Sequence, residues 1–226
     1  VETPVSYEYK GLTVHKCGPW SQGPVFLQQL SLLKGFDLPG LGHNSARYIH
    51  VAVEASKLAF VDREHFYGDP LFAHVPLDAL LSDRYADERR RLIDLEKASL
   101  EQTPGEISSK ELTLSEPQPN VGDTTHLDAV DAEGNMVSAT PSGGWISSSP
   151  LVEGLGFPLG TRGQMFSLDP NHPNCIQPRK RPRTTLTPSL VTREGRPWMV
   201  FGTPGGDQQD QWTLQFFLNH VDFGMS

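Results

Sequence analysis

The stretch DTTHLDAVDAEGNMVSAT at residues 123–140 decides how this chain is interpreted. Apolar and polar residues alternate over 125–130 and again over 136–140, and the segment between them includes AEGN at residues 132–135. Alternation with a period of two is the pattern of a half-buried strand, and a short turn with Gly and Asn joins strands into a hairpin. The stretch therefore predicts an antiparallel β-hairpin that begins just after Asp123-Thr124.

A second hairpin and a helix are predicted downstream. Residues 189–192 and 198–201 have strand composition and flank a turn at 194–197. The motif TPGG at residues 203–206 follows, and after it apolar residues recur at helical spacing up to Val221. The second half of the chain is therefore expected to be rich in β-structure, with one helix at its end.

The first hundred residues are predicted to be mostly helical after one short strand. The expected elements are a strand over 10–17 and helices that begin near Val25, after the N-cap Asn44-Ser45, and at Pro76, the last of which runs to about Leu100. The Arg89-Arg90-Arg91 run in that last helix predicts a solvated face with ion pairs between residues four apart. Helices in one part and hairpins in the other indicate an α+β fold.

The composition changes between Gln102 and Gly122, where the sequence is polar and interrupted by proline. This predicts an exposed, mobile connector, and long loops of that kind are often functional. The chain is accordingly divided into a helical segment at 1–101, a connector at 102–123 and a β-rich segment at 124–226. The sequence begins without a signal-peptide pattern, and both of its ends are expected to be cuts through a longer protein.

Composition excludes several classes of function. Acidic residues outnumber basic ones by 27 to 19, which argues against a general nucleic-acid binder. No apolar run approaches the roughly 20 residues that a membrane-spanning helix needs. Cys17 and Cys175 are too few for a disulfide scaffold or a four-cysteine zinc site, and the eight His residues lack metal-ligand spacing. No metal or other cofactor is therefore expected.

Thr124 stands where the connector meets the first strand of the hairpin. If the bond between Asp123 and Thr124 were cut, Thr124 would carry both a hydroxyl and a free α-amine. Because an α-amine titrates near pH ~8, a useful share of it is unprotonated at neutral pH and can act as the adjacent base. The residue types thus allow an N-terminal nucleophile, and they also allow an ordinary β-branched residue at the start of a strand.

Two further stretches allow chemistry at an acyl group. Gly205-Gly206 before a helix can turn backbone N–H groups toward one point, as an oxyanion hole requires, although the same residues also suit a plain strand-to-helix connection. The segment KRPRTTLTP at residues 180–188 combines Arg with hydroxyl groups, which suits a carboxylate. A basic surface loop remains the alternative for that segment.

Taken together, the motifs resemble the gamma-glutamyltransferase (glutathione hydrolase) family of N-terminal-nucleophile hydrolases. The matching stretches, in order, are WSQG at 20–23, EASKLAFVDR at 54–63, YGDP at 67–70, DTTH at 123–126, VD at 130–131, GN at 134–135, KRP at 180–182 and TPGG at 203–206. The resemblance implies a four-layer αββα sandwich, in which two antiparallel sheets pack together with helices outside. It also implies that this chain joins the rear part of the family's large subunit to the front part of its small subunit.

The resemblance also implies roles for individual residues. The precursor is expected to cleave itself between Asp123 and Thr124, and its two halves to stay associated. Thr124 becomes the nucleophile, and Ser142 matches a hydroxyl residue that bonds to it. Gly205-Gly206 matches the oxyanion-hole pair, and Thr184-Thr185 matches a hydroxyl pair that holds the α-carboxylate of the substrate.

The chain departs from the family where the α-amine of a γ-glutamyl group is held. Arg162 stands at the position of a Gln, Met165 at that of an acidic residue, and Gly144 at that of an Asn. Met cannot pair with an ammonium group, whereas Arg162 would attract a carboxylate. Arg162 is therefore a candidate substrate-binding residue, and the chain resembles a divergent branch that includes acylase-like and oxamate-amidohydrolase-like relatives.

The expected function is that of a self-processing threonine amidohydrolase or acyltransferase without a cofactor. It would transfer a γ-glutamyl or similar acyl group from an amide such as glutathione to water or an amine, through an acyl-enzyme on Thr124. Two alternatives stay open: an amidase for a non-glutamyl small anionic amide, and an inactive, unprocessed fragment. The sequence leaves the acyl donor and the cellular compartment undetermined.

Overall fold

A computed structural model describes residues 2–101, 103–107, 124–143, 149–156 and 158–226 of the chain. Within these ranges the elements are β1 (Val5–Tyr9), β2 (Leu12–Lys16), α1 (Gly23–Leu33), α2 (Leu38–Leu41), α3 (Ala46–Phe66), α4 (Leu77–Leu80), α5 (Asp83–Arg90), β3 (Leu127–Val130), β4 (Met136–Ala139), β5 (Ser189–Arg193), β6 (Arg196–Phe201) and α6 (Gln209–Val221), with short 3₁₀ helices at Thr161–Met165 and Gly206–Gln208. None of the helices in these ranges is long and apolar enough to cross a membrane.

The larger sheet joins the two ends of the chain. Its strand order is β1-β2-β5-β6 with antiparallel neighbours, so two strands from the first segment pair with two strands from the last. Val14 on β2 stands opposite Tyr7 on β1 and Val191 on β5. Alternate residues of β2 are buried, which gives this sheet one face directed at the hydrophobic core.

Helices cover that face. Every residue of α1 is buried, and the ring of Phe26 lies 5.9 Å from the ring of Phe201 on β6 and 5.8 Å from that of Phe217 on α6. Burying an aromatic or aliphatic side chain of this size contributes about 1.5–3 kcal/mol to stability. The core therefore depends on α1 and α6, which belong to opposite halves of the chain.

The second sheet consists of the β3–β4 hairpin. Its strands contact β5 and β6, and Met136 to Ser138 line a cavity together with His15, Leu190 and Thr192 of the larger sheet. The described residues thus form a helical layer and two antiparallel sheets, as an α+β sandwich requires. The hairpin predicted from residues 125–140 is confirmed, as is the second hairpin, formed by β5 and β6.

The long helix predicted after Asn44-Ser45 is confirmed as α3, whose first turn is capped by Ser45 Oγ accepting from the N–H of Tyr48 at 3.1 Å. The single helix predicted from Pro76 to about Leu100 is wrong. Ser82 has an extended backbone and caps the next helix through Tyr85, so two short helices, α4 and α5, form instead. Ser82 acts as an N-cap inside the predicted helix, so a new helix begins after it.

The prediction of a solvated arginine face is wrong for Arg89. This side chain is buried, and its Nη2 donates to the Asp62 carboxylate at 3.4 Å and to the Thr103 carbonyl at 2.7 Å. Arg90 donates to the Leu32 carbonyl of α1 at 2.8 Å. A run of charged residues predicts solvent exposure only when the fold brings no buried carboxylate or carbonyl group close to it. Local sequence does not reveal such partners.

Within the predicted connector, Gly105 is anchored to the helices, while Thr103 and Glu106 are exposed as predicted. The N–H of Gly105 donates to Asp62 Oδ1 at 2.9 Å, and a Cβ atom at Gly105 would lie 1.9 Å from Tyr85 Oη. This close packing leaves no room for a side chain at Gly105. Residues 102 and 108–123 lie outside the described ranges.

Asp69 and Arg181 connect two of the quoted motifs. Arg181 donates to the Asp69 carboxylate from its backbone N–H and from Nη2, each at 2.9 Å. Burial opposes the negative charge of Asp69, but the hydrogen bonds from Arg181 prevail and lower the pKa of Asp69 to about 2. The ionised pair therefore holds the loop after α3 against the segment that precedes β5.

We expect Asp69→Asn to make the stability of the full-length protein less dependent on pH. Because the folded pKa lies below the ordinary value, the carboxylate stabilises the fold above about pH 4, and this stabilisation is lost as pH falls toward 2. The variant should lose about 2 kcal/mol of unfolding free energy at pH 7 and less near pH 3. Urea denaturation at both pH values measures this, with the exposed Glu8→Gln as control; an equal loss at both pH values contradicts the assignment.

Candidate active site

Thr124 and Ser142 lie opposite each other just beyond the β3–β4 ladder. They form an antiparallel bridge in the same register as the hairpin, and the Thr125 N–H donates to the Pro141 carbonyl at 3.1 Å. The hydroxyl oxygens of Thr124 and Ser142 are 2.6 Å apart, a short hydrogen bond. The hairpin register thus aims both hydroxyls at the same point.

Arg162 approaches the same pair of hydroxyls from the 3₁₀ helix Thr161–Met165. Its Nη2 donates to Ser142 Oγ, and burial lowers the pKa of the half-buried guanidinium. Gly143 makes this approach possible, because a Cβ atom there would lie 2.9 Å from Thr161 Oγ1 and 3.6 Å from Arg162 Nε. The structure therefore brings together three of the predicted site residues: Thr124, Ser142 and Arg162.

The Gly205-Gly206 turn links β6 to the 3₁₀ helix that precedes α6. Both glycines have positive φ, at 135° and 57°, which is the region that favours residues without a Cβ atom. A Cβ atom at Gly205 would lie 2.7 Å from Cζ3 of Trp212. The strand, glycine turn and helix predicted from the sequence are confirmed. The oxyanion role of the two glycines remains a prediction.

His126 packs the Thr124 strand against the approach to this turn. Its Nδ1 lies 2.8 Å from Thr140 Oγ1 and its Nε2 2.9 Å from Asp128 Oδ2, so the ring is fixed at both nitrogens. A Cβ atom at Gly202 would lie 2.2 Å from the His126 ring, which shows how closely β6 passes the hairpin. His126 is part of the DTTH motif, but no feature of the sequence predicts these contacts.

The hydroxyl pair at Thr184 and Thr185 is placed beside the loop that precedes α1. The Thr184 N–H donates to the Trp20 carbonyl at 2.8 Å, and Thr184 forms a parallel bridge with Ser21. Thr185 is buried, and its hydroxyl has no hydrogen-bond partner among the described residues. A buried hydroxyl in that state can accept or donate a hydrogen bond to a ligand group.

A buried cluster of charges supports the segment around Thr184. Glu64 accepts from Arg183 Nη2 at 2.8 Å and also pairs with Arg63. Burial opposes the negative charge of Glu64, but the two guanidinium groups prevail and lower its pKa to about 2. Arg63 lies in one of the motifs that resemble the family, but no sequence pattern indicates that Arg63 and Arg183 share one carboxylate.

Asp123 and Gly144 lie outside the described residues. Cys17 and Cys175 are both free, and Cys175 Sγ accepts from Gln177 Nε2 at 3.2 Å. Across the part of the chain that the structure describes, no three His, Cys, Asp or Glu side chains are grouped as a metal ion would require.

The family model for gamma-glutamyltranspeptidase matches residues 1–226, the whole chain. The chain belongs to the gamma-glutamyltranspeptidase family. It is 37% identical over 223 residues to the glutathione hydrolase-like YwrD proenzyme of Bacillus subtilis, covering 98% of this chain and 40% of that protein. The predicted membership is therefore confirmed, and the chain spans about 40% of the length of such relatives.

Solved structures agree with this assignment to the gamma-glutamyltranspeptidase family. The chain superimposes on LmbA2991T421A with a TM-score of 0.85 at 53% identity, covering 96% of this chain and 39% of that one. It superimposes on the cephalosporin acylase from Bacillus halodurans with a TM-score of 0.81 at 36% identity, covering 98% and 38% of the two chains. The predicted fold class, part of an αββα sandwich with antiparallel sheets, is confirmed.

We expect Gly143→Ala in the full-length protein to cost activity as well as stability. The new Cβ atom would meet Thr161 Oγ1 at 2.9 Å and push the 3₁₀ helix with Arg162 away from Ser142. Gly134→Ala is the matched control, since it also has positive φ but nothing lies within 4 Å of its Cβ position. Both variants should lose about 1 kcal/mol of unfolding free energy through backbone strain.

Only Gly143→Ala should also lower kcat/KM, and by at least tenfold. Steady-state kinetics with a p-nitroanilide amide and thermal denaturation separate the two effects. Equal losses of kcat/KM in both variants would show that the contact between Arg162 and Ser142 does not matter for turnover.

Proposed function

We propose that the full-length protein is a self-processing threonine amidohydrolase or acyltransferase of the gamma-glutamyltranspeptidase type. The observation that carries this proposal is the 2.6 Å contact between Thr124 Oγ1 and Ser142 Oγ at the entry to a hairpin strand. A threonine hydroxyl held by a second hydroxyl, which a guanidinium in turn holds, has a fixed direction of attack. Membership of the family supports the same chemistry.

Processing would begin with Thr124 itself. Its hydroxyl oxygen attacks the carbonyl carbon of Asp123, the peptide C–N bond breaks, and the acyl group passes from nitrogen to oxygen. Water then hydrolyses the ester and leaves a carboxylate on Asp123, a hydroxyl on Thr124 and a free α-amine on Thr124. The cut separates the part of the protein that ends at Asp123, which includes the connector at 102–123, from the part that begins at Thr124.

Turnover would use the groups that processing creates. The α-amine accepts the hydroxyl proton while Thr124 Oγ1 attacks the substrate amide, and the N–H groups of Gly205-Gly206 stabilise the oxyanion. The leaving amine takes the proton as the C–N bond breaks, which gives an acyl-enzyme ester. Water or a second amine then attacks this ester, releases the acyl group and restores the hydroxyl.

The acyl group that the site accepts depends on Arg162. Arg162 Nε is buried and has no hydrogen-bond partner among the described residues, so this N–H remains available for a carboxylate. Met165, on the same 3₁₀ helix, carries no charge with which to bind an ammonium group. Thr184-Thr185 is proposed to hold a second carboxylate through its hydroxyls.

These features favour a small anionic acyl group over an α-amino one. The proteins that this chain is similar to include one named glutathione hydrolase-like proenzyme and one named cephalosporin acylase. A γ-glutamyl donor such as glutathione and a non-amino dicarboxylic amide are therefore the two candidates. The proposed acceptors are water and small amines.

The two halves are proposed to stay associated after cleavage. The contacts that would hold them are numerous, because β2 pairs with β5, α1 packs on α6, and Asp69 binds Arg181. All of these join residues before 124 to residues after it. Separation would expose the buried core between α1 and α6 to water.

Thr124→Ala in the full-length protein should abolish both self-cleavage and amide turnover, because it removes the attacking oxygen. Thr124→Ser should retain both at reduced rates, since it keeps the hydroxyl and the amine. Denaturing gels and release of p-nitroaniline measure the two activities. Amide hydrolysis by Thr124→Ala at the wild-type rate would reject the proposal, and an uncut, inactive wild type would favour the inactive-fragment alternative.

Arg162→Gln should shift the substrate preference. The wild type is expected to prefer glutaryl-p-nitroanilide and oxamate over glutathione and γ-glutamyl-p-nitroanilide. The variant should lose about 10- to 100-fold in kcat/KM for the glutaryl amide, the equivalent of one charge-assisted hydrogen bond. Initial rates with all four compounds test this, and a clear preference of the wild type for glutathione would contradict the role given to Arg162.

A further inference from the structure

The glycine turn that is proposed to bind the oxyanion has little stiffness of its own. Gly205 and Gly206 both occupy positive-φ conformations, and glycine moves among several such conformations at low cost. Within the turn, the Gln208 N–H donates to the Gly205 carbonyl at 3.0 Å. The direction of the N–H groups therefore depends on contacts from other elements.

Gln22 supplies one of these contacts. Its side chain is fully buried, its Nε2 donates to the Gly206 carbonyl at 3.2 Å, and its Oε1 accepts from Arg63 Nη1 at 2.7 Å. The orientation of this amide is forced, because a guanidinium can only donate and a carbonyl can only accept. Arg63 thereby fixes the amide group that holds Gly206.

Arg63 supplies the second contact directly. Its Nη1 and Nη2 donate to the two carboxylate oxygens of Asp207 at 2.7 and 3.0 Å, a bidentate pair with the residue that follows Gly206. The guanidinium lies 4.7 Å from the ring centre of Phe60 and also binds Glu64. Its position is therefore set on several sides.

We propose that Gln22 and Arg63 are positioning residues, which set the direction of the Gly205-Gly206 N–H groups from the opposite side of the proposed cleavage point. The inference rests on the proposed function, because it concerns the oxyanion site of that reaction. Gln22 and Arg63 belong to residues 1–101, whereas Gly206 and Asp207 belong to 124–226. The first segment would thus hold the active turn of the second after cleavage.

The decisive variant is Gln22→Glu in the full-length protein. It keeps the size of the side chain and the acceptor for Arg63, but it removes the donor and places a negative charge beside the Gly206 carbonyl. We expect kcat and the first-turnover release of p-nitroaniline, which reports acylation, to fall about 10- to 100-fold. This loss is smaller than the roughly 100- to 1000-fold cost of removing an oxyanion donor, because the N–H groups are misdirected and not removed. KM should stay within about twofold, because substrate contacts are unchanged.

Asp207→Asn is the second variant, and because the Asp207 side chain is half-exposed, the substitution should cost little stability. The Asn side chain keeps one acceptor oxygen for Arg63 and loses the other. First-turnover release of p-nitroaniline and kcat should therefore fall about three- to tenfold. Arg84→Gln is the matched control, because it breaks an exposed ion pair with Glu88 on α5. Thermal unfolding and the ratio of cut to uncut chain are measured for each variant.

Rate losses in Gln22→Glu and Asp207→Asn, with unchanged KM and unfolding temperature, support the inference. Wild-type acylation in the folded Asp207→Asn and Gln22→Glu variants overturns it, as does a rate loss that follows thermal stability alone. Thr124→Ala, assayed in parallel, separates this result from the proposed function. If Thr124→Ala is inactive while both variants match the wild type, only the positioning role fails; if Thr124→Ala is active, the proposed function fails.

Discussion

The antiparallel register of β3 and β4 continues past their ladder and sets Thr124 opposite Ser142, with 2.6 Å between the two hydroxyl oxygens. Gly143 allows Arg162 to reach Ser142, and His126 lies against Gly202, which joins β6 to the glycine turn. A slip of one residue in the register would turn Thr124 to the other face of the hairpin.

Buried charges connect the two segments that surround this hairpin. Arg63, Glu64 and Arg183 share one cluster, and Lys16 on β2 lies 3.3 Å from Asp210 on α6 with both side chains fully buried. Burial, opposed by Lys16, raises the pKa of Asp210 to about 6. Such pairs are costly to bury and add little net stability, but breaking one leaves an uncompensated charge. They therefore favour one arrangement of the two segments over others.

Local patterns in the sequence predicted much of this fold. The β3–β4 hairpin, the capped start of α3 and the strand–glycine–helix unit at Gly205-Gly206 each follow from residues close together in the chain. The pairing of Thr124 with Ser142 was predicted from resemblance to a family, and the register of the hairpin in the structure agrees with it. Resemblance to a family added the assignment of Arg162 to the site.

Contacts between distant residues could not be predicted in the same way. The burial of Arg89 depends on Asp62, and the anchoring of Gly105 depends on Asp62 and Tyr85, all of them partners that only the fold brings close. The same holds for Gln22, Arg63 and Asp207, whose spacing in sequence carries no periodic signal. Charge and polarity indicate that a residue needs partners, whereas the tertiary structure decides which partners it has.

The proposed reaction requires Thr124 to become a chain terminus whose hydroxyl carries the acyl group. Intact-mass spectrometry of the purified full-length protein, acid-quenched during cleavage of whichever p-nitroanilide it accepts, measures this directly. The predicted result is two chains, the smaller beginning at Thr124 and heavier by one acyl group. An unbroken chain that releases p-nitroaniline without an adduct would contradict the account.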